Sequence, residues 1–385
     1  MPSFNIVKSW APEETFRTAA VKASFTLEDI KLQKQFAGEI PIEGLDWKIG
    51  LIVGRSGTGK TSIAKEKFPN AYIKSFEYIH KNFLADFPKE NTVDEITTAL
   101  CNVGFASPPD WLKSYDCLSQ GEKMRVDIAR ALCTKMPINQ ITGKELIVFD
   151  EFTSVVDREI AKIASFAISK SIKRSNKQFI AVTCHYDVED WLEPDWVLYT
   201  DTMKFELRDK KKSSRPPIEL EIHECSRSLW SIFRQYHYLN TNILTSNKHY
   251  VALYNSKPVA FISIGRSQYK YKYWRVSRLV VLPDYQGVGI GTRLLTWVAQ
   301  YFYEKTRLDF FIVSSNPQLI HLRNSPYWIL KRAGHSVNKN NRFRREKNLI
   351  NSSSQNRLTF SFKYKPQTRK QPQLNLDHTC PQNNQ

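Results

Sequence analysis

Gly54-Arg-Ser-Gly-Thr-Gly59-Lys60-Thr61 follows the apolar run Ile49–Val53 and precedes a helical pattern. It matches G-x-x-x-x-G-K-[ST] at every fixed position. Glycines let the backbone curl until successive N–H groups face one phosphate, and a helix start adds its partial positive charge. In that geometry Lys60 reaches the outer phosphates of ATP and the Thr61 hydroxyl ligates Mg²⁺. Gly54, Ser56, Gly57, Gly59 and Ser62 complete the expected binding set. The strand–loop–helix order predicts an α/β domain.

Working outward, Leu146-Ile-Val-Phe-Asp150-Glu151 is an apolar strand ending in two carboxylates. Asp150 is expected to hold Mg²⁺, and Glu151 to polarise the attacking water. Leu118-Ser119-Gln120-Gly121-Glu122 opens a helical pattern at Lys123–Leu132, so Ser119 and the Gly121 backbone sit at another phosphate-ready helix start. Ser154-Val-Val-Asp157 follows the acidic pair, and His185 ends a strand at Gln178–Cys184.

This ordered set resembles the ATP-binding-cassette (ABC) ATPases over about residues 1–200. The resemblance implies a homodimer in which the LSQGE-type signature of one subunit completes the partner's site. It also implies that His185 contacts the γ-phosphate and that the Asp157 loop crosses the interface. One departure stands out: residues 61–118 contain no glutamine where the family keeps one as a magnesium and water contact. Asn82 or Asp86 stands nearest to replace it. Trp47 is the candidate for stacking on adenine.

Elsewhere in the first half, Thr18–Thr26 reads as a strand, within short strands and turns over residues 1–50. Glu159–Ile172 has a period of 3.6 and reads as a helix. Arg208–Pro217 carries charges, serines and paired prolines, and is expected to be a linker. Beyond it come a helix at Ser228–Tyr236 and strands at Tyr250–Leu253, Lys257–Arg266 and Arg275–Val281. A helix at Gly289–Tyr303 and strands at Phe310–Ser314 and Arg357–Tyr364 follow, with a polar basic stretch at 337–356. The expected domains are therefore 1–207, a basic linker 208–217, 218–365, and a disordered tail 366–385.

The charge is divided along the same line. Residues 1–207 hold 26 basic and 29 acidic side chains, whereas residues 208–385 hold 30 and 9. A net of +21 in the second half points to a polyanion, most simply DNA or RNA. No apolar run approaches the roughly 18–20 residues needed to cross a bilayer. The N-terminus lacks a charged-then-apolar secretory pattern. The six cysteines are scattered without a CxxC pair. A cytoplasmic protein with reduced thiols and no membrane association is expected.

Arg278-Leu-Val-Val-Leu-Pro-Asp-Tyr-Gln286-Gly287-Val288-Gly289-Ile290-Gly291-Thr292 gives the second half its chemistry. A β-branched strand runs through a turn into a glycine-rich helix start that presents N–H groups to a pyrophosphate. Gln286-x-x-Gly289-x-Gly291 resembles the acyl-CoA motif of the GNAT acetyltransferases. The resemblance implies that Gln286, Gly287, Gly289, Gly291 and Thr292 bind acetyl-CoA or another acyl-CoA. It implies that the strand splays from its neighbour, so that amides of Leu279, Val280 and Val281 hold the thioester carbonyl and its oxyanion. Asn316, in Ser315-Asn316-Pro317, is placed to touch the pantetheine arm. His237 is a candidate base, with packing or base-stacking equally open for the Tyr236-His-Tyr238 cluster. Tyr327 is a candidate acid, with core packing as its alternative.

The fold class is thus α/β: an N-terminal P-loop ABC-type ATPase domain with a β-rich subdomain, and a C-terminal GNAT-type mixed α/β domain. Basic and aromatic residues interleave at Tyr269–Arg275 and Arg342–Arg345, as suits phosphates and stacked bases. The stretches Tyr236–Leu239, Ser315–Pro317 and Ser325–Trp328 resemble the Mom-type phage enzymes that modify adenine in DNA. The expected function is an ATPase coupled to an N-acyltransferase acting on a nucleic-acid base. Two other readings stand beside it: a protein or small-amine acetyltransferase regulated by ATP, and a non-catalytic ATP-gated nucleic-acid clamp.

Overall fold

The computed structural model describes residues 3–10, 13–25, 32–139, 142–208, 217–237, 247–267, 270–335 and 358–367. The chain packs as two compact units. The first is Met1–Ser263 with Arg278–Gly291, and the second is Ile264–Ser277 with Thr292–Gln385. The division therefore does not follow the linker expected at 208–217, of which 209–216 lie outside the described residues. The expected polar stretch 337–356 and all but the first two residues of the tail lie outside them too.

The first unit is built on a six-stranded sheet. Its order is Tyr72–Ile73, Glu145–Phe149, Lys177–Thr183, Ile49–Val53, Trp196–Tyr199 and Lys204–Leu207, parallel except for the last pair. Ile49–Val53 is buried at every position, as a strand covered on both faces should be. Lys177–Thr183 lies between it and the acidic strand Glu145–Phe149, so the sequence order reverses beside Ile49–Val53. Crevices at the carboxyl ends of strands beside such a reversal are where open α/β sheets hold ligands.

Three helices around this sheet have well-defined starts. Val93–Asn102 and Gln120–Cys133 each begin with a capping box, from Thr92 with Glu95 and from Ser119 with Glu122. Arg158–Arg174 is capped by Asp157, which accepts from the Glu159 and Ile160 amides. Each cap satisfies amides that a helix start leaves without partners. Ahead of the sheet, Ser3–Trp10 and Leu32–Glu39 pair antiparallel, the expected β-rich element.

Between those two strands lies a correction. Phe16–Phe25 is a helix, not the strand expected at Thr18–Thr26. Ala19, Ala20 and Ala23 are strong helix formers. Thr15 and Thr18 exchange backbone-to-hydroxyl hydrogen bonds of 2.8 and 3.2 Å that fix its first turn. The helix buries no residue, so no packing pattern could reveal it.

The first unit also holds the opening of the second half. Glu221–Glu224 pairs antiparallel with Lys248–Tyr254. The helix expected at Ser228–Tyr236 forms as three short turns, Arg227–Leu229, Trp230–Phe233 and Arg234–Tyr236. Trp230, Phe233, Val251, Phe261 and Val280 form a small buried cluster there. The strands Lys257–Arg266 and Tyr273–Val281 and the helix Ile290–Thr306 each begin in one unit and end in the other.

Within the second unit, Tyr273–Arg275 pairs parallel with Asp309–Phe311. Leu358–Tyr364 lies antiparallel between Asp309–Ser314 and Trp328–His335. The last of these strands had no sequence expectation. It is recruited by Leu358–Tyr364, and Trp328 packs edge-on to Phe310 and Tyr364.

Candidate functional sites

Parallel strands bring their carboxyl ends to one edge, and the first site assembles there. Gly59 is the N-cap of the helix Lys60–Lys67, so the loop Gly54–Gly59 joins the end of Ile49–Val53 to a helix start. The Lys60 ammonium donates to the carbonyls of Gly54 and Arg55, at 2.7 and 2.8 Å. It therefore sits across the mouth of the loop. Arg55, Ser56 and Gly57 are exposed, whereas Gly59, Thr61 and Ser62 are half-buried.

Asp150, from the adjacent strand end, accepts from the Thr61 hydroxyl at 2.9 Å on one carboxylate oxygen. Tyr72 donates its hydroxyl to that same oxygen at 2.6 Å. Burial and the carboxylate beside it raise the Tyr72 phenol far above its usual range, so it remains a donor. A hydroxyl and a carboxylate converging beside the loop Gly54–Gly59 form a hard-oxygen set. Mg²⁺ is commonly held by such a pair, with waters and phosphate oxygens filling its octahedron. Among the described residues there is no cluster of three His, Cys, Asp or Glu side chains that could hold a metal. A magnesium ion held largely by phosphates and water does not require one.

Glu151 follows in an exposed position with φ of 55°. A glutamate is rarely left-handed, and this geometry turns the chain sharply at the strand end. His185 is half-buried just past Lys177–Thr183, its amide donating to Thr183. These residues reach the same sheet edge as the phosphate loop. Ser119 is exposed at its helix start, and its hydroxyl accepts from the Glu122 amide. Gly121 is buried.

Three expectations change. Trp47 is 1% exposed and packs edge-on to Trp196, so it belongs to the core and cannot stack on a nucleotide. Asn82 caps the turn Phe83–Asp86 and donates to the Trp111 carbonyl. Asp86 accepts from the Ile79 and His80 amides and pairs with the His80 ring. Asn82 is thus spent on its own turn and on Trp111, and Asp86 on its own loop. Sequence reasoning also missed two residues. Tyr72 is one, and Lys34 is the other: its ammonium donates to the Gly57 carbonyl from the N-terminal hairpin.

The second site begins at the strand Tyr273–Val281. Its parallel register with Asp309–Ser314 covers Tyr273, Trp274 and Arg275, and Leu279, Val280 and Val281 lie beyond it. The chain then turns through Pro283–Tyr285 and opens the helix at Ile290. Gly289 has φ of 91°, and a Cβ there would meet nothing within 4 Å. Its face is open, as a ligand-facing glycine needs. Thr292 is exposed one turn further on.

Gln286 and Gly287 are engaged differently, by packing within their own unit. The buried Gln286 side chain accepts from the Ala106 amide at 2.6 Å and donates to the Val281 carbonyl at 2.9 Å. A Cβ on Gly287 would stand 2.7 Å from Ala167 Cβ and 2.8 Å from Gly104 Cα. This stretch of the loop is packed against the N-terminal residues of its own unit. Arg125, fully buried in the helix Gln120–Cys133, donates to the Pro283 and Asp284 carbonyls at 3.1 and 3.0 Å. Tyr285 donates to Glu159 at 2.9 Å, and Lys257 pairs with the same carboxylate at 2.7 Å.

The remaining candidates sit as follows. Asn316 caps the turn Pro317–Asn324 through its side-chain oxygen, so it opens that helix as expected. Tyr327 is half-buried and its carbonyl accepts from the Lys365 amide. His237 packs edge-on to Trp230 at 5.7 Å, beside the aromatic cluster. A second histidine went unnoticed in the sequence. His249 is 6% exposed and stacked on Phe261, and burial lowers its pKa below the usual imidazole value.

In the basic stretch, Tyr271 donates to Asp309, Tyr273 packs edge-on to Phe311, and Trp274 packs on Phe302. Lys270, Lys272 and Arg275 are exposed. Tyr269 and Arg342–Arg345 lie outside the described residues, as do Tyr238 and Leu239.

Residues 215–323 match the model of the Acetyltransferase (GNAT) family. The second half therefore carries a GNAT-type acetyltransferase domain, from an enzyme family. No curated protein matches the chain. Among solved structures, a GNAT acetyltransferase from Elizabethkingia anophelis with acetyl-CoA bound is 16% identical. That match covers 37% of this chain and 96% of that one, with a TM-score of 0.29. The ribosomal-protein-S18-alanine N-acetyltransferase from Escherichia coli is 14% identical over 41% and 100%, with a TM-score of 0.29. A GNAT acetyltransferase from Streptococcus pneumoniae is 14% identical over 38% and 98%, with a TM-score of 0.28. Likenesses this low do not bear on function. Among the described residues, no helix is long and apolar enough to cross a membrane.

Proposed function

We propose that the protein couples an ABC-type ATPase to an acyl-CoA-dependent N-acyltransferase that modifies a nucleic-acid base. The observation that carries the first half is the convergence of Lys60, Thr61, Asp150 and Tyr72 at the end of parallel strands. The GNAT-type domain at 215–323 carries the second. The excess of basic residues after 207 supports a nucleic acid as acceptor.

Thr61 and Asp150 would hold Mg²⁺, which would supply positive charge against the nucleotide's phosphates. Lys60 and the loop amides bind those phosphates, and Glu151 orients the attacking water by accepting its proton. Ser119, Gly121 and Asp157 form the face that completes the partner's site in a homodimer. Val155, 68% exposed between Ser154 and Asp157, supports a covered surface there.

In the acyltransferase, a base amine attacks the acetyl-CoA carbonyl and an N–C bond forms. The resulting oxyanion is held by the amides of Leu279, Val280 and Val281. The C–S bond then breaks, and the thiolate leaves as coenzyme A after taking a proton. His237 is the candidate to remove the amine proton and Tyr327 to protonate the thiolate. Gly289 and Gly291 cradle the pyrophosphate at the helix start, and Asn316 touches the pantetheine arm.

The test is to express the protein in a cell and digest total DNA and tRNA to nucleosides for mass spectrometry. A nucleoside heavier by an acyl group, present with the native protein and lost with Gly289→Glu, is expected. No such nucleoside in either nucleic acid would remove the base-modification reading.

A further inference from the structure

We propose that Arg125 and Glu159 are positioning residues for the acyl-donor loop, through which nucleotide at the first site sets the loop's affinity for acetyl-CoA. This deepens the function proposed above and rests on it.

The argument starts from where the two residues sit. Arg125 lies six positions after Ser119 on the helix Gln120–Cys133, about 9 Å along its axis at 1.5 Å per residue. Glu159 lies two positions after the cap Asp157. The starts of these helices are the parts of the first domain that would meet the partner's nucleotide. Arg125, in the second turn of its helix, and Glu159, in the first turn of its own, grip the loop Pro283–Gly287.

The grip combines a buried arginine with a half-buried carboxylate. Arg125 is 0% exposed, an unusual place for a charge unless its donors are used. Two of its nitrogens donate to successive carbonyls, Pro283 and Asp284, and its guanidinium lies 3.7 Å from the Asp284 carboxylate. Glu159 takes one hydrogen bond from Tyr285 on one oxygen and pairs with Lys257 on the other. Ala106 holds Gln286, and Gly104 meets Gly287 backbone to backbone. Five consecutive residues, Pro283–Gly287, thus have a partner in the N-terminal residues. Gly289, two residues on, faces open space.

A loop fixed at one end and ligand-facing at the other transmits displacement. Packed interiors shift between discrete arrangements and do not deform smoothly. A small movement of either helix on nucleotide binding or dimer closure therefore moves the start of the helix at Ile290, where the pyrophosphate amides lie. Coupling of this kind is reciprocal: each ligand changes the other's affinity by the same factor.

Calorimetry on the full-length protein tests this. Acetyl-CoA is titrated with and without a non-hydrolysable ATP analogue and Mg²⁺, and the analogue is titrated with and without acetyl-CoA. Each ligand is expected to change the other's Kd by the same factor, at least about fivefold. In Arg125→Met both ligands still bind and the factor falls below about twofold. Tyr285→Phe, which removes only the hydroxyl bonded to Glu159, lowers the factor without disturbing a buried charge. It keeps the test decisive should Arg125→Met not fold. Two ligands that bind the native protein without mutual effect would overturn the coupling and leave both site readings intact. Failure of acetyl-CoA or of the analogue to bind at all is seen in its first titration. That outcome overturns the corresponding site reading and the coupling with it.

Discussion

The loop at Gly54–Thr61 and the loop at Pro283–Gly291 each end a strand and open a helix, but their neighbours differ. The first is surrounded by its own sheet edge: Thr200, Asp201 and the hairpin residues Lys34 and Phe36 lie against its glycines. Its exposed stretch, Arg55–Gly57, has no buried partner to satisfy. The second is held over Pro283–Gly287 by Gly104, Ala106, Arg125 and Glu159, residues more than a hundred positions away. Of its three glycines, only at Gly289 would a Cβ meet nothing within 4 Å. The same local signal, glycines at a helix start, thus sits in an exposed turn in one loop and in a largely packed turn in the other.

Removing the charge from the freer loop should have the largest effect. On the function proposed above, Lys60→Ala deletes an ammonium whose hydrogen bonds to phosphate would be charge-assisted, each worth about 1.5–3 kcal/mol. Without two such bonds, ATP binding should weaken about a hundredfold or more. Thermal stability should change little, because the Lys60 donors meet only loop carbonyls. Fluorescence titration with a labelled ATP checks it. Unchanged affinity would remove the phosphate role of this loop and with it the contrast.

The next test separates two glycines two residues apart. Gly287→Ala places a methyl 2.7 Å from Ala167 and 2.8 Å from Gly104, at φ of 84°. Left-handed backbone costs alanine roughly 1–2 kcal/mol, and overpacking adds about 1–3 kcal/mol. A loss of about 2–5 kcal/mol in unfolding free energy is expected for Gly287→Ala. Gly289→Ala bears only the conformational term, because its Cβ meets nothing within 4 Å. It should lose acetyl-CoA affinity while the melting temperature moves slightly. Equal melting shifts for the two would show that both glycines face the same surroundings.

How much of this was legible depends on range along the chain. The strand–loop–helix at Ile49–Lys67 and the strand running into Asp150 were readable because each signal lies within a short stretch of sequence. The acidic strand and the helix after Asp157 were equally plain from runs of apolar residues. Tyr72 and Lys34 were not, since Asp150 is 78 positions from one and Gly57 is 23 from the other. Trp47 looked available because tryptophan is large and near the loop, and only the fold shows Trp196 against it. Arg125 did leave a trace. It stands among Met124, Val126, Ile128 and Ala129 on a helix buried on most sides, and a charge there calls for a partner. The sequence could not say that the partner was a pair of carbonyls in the other half.

The smallest effect tests the packing end of the second loop by itself. Gln286→Leu keeps the volume of the side chain roughly constant and removes both of its hydrogen bonds. The Ala106 amide loses the acceptor 2.6 Å away, and the Val281 carbonyl loses a donor at 2.9 Å. A buried donor left without a partner costs about 1–3 kcal/mol. Part of that is offset by burying leucine in place of an amide, so about 1–2 kcal/mol is expected in chemical denaturation. Acetyl-CoA affinity should fall by less than for Gly289→Ala, because the side chain of Gln286 is turned to Ala106 and not to the open face. If the ligand affinity fell further than the stability did, Gln286 would be touching the acyl donor after all. The boundary between the gripped and the open part of the loop would then move from Gly287 back towards Tyr285.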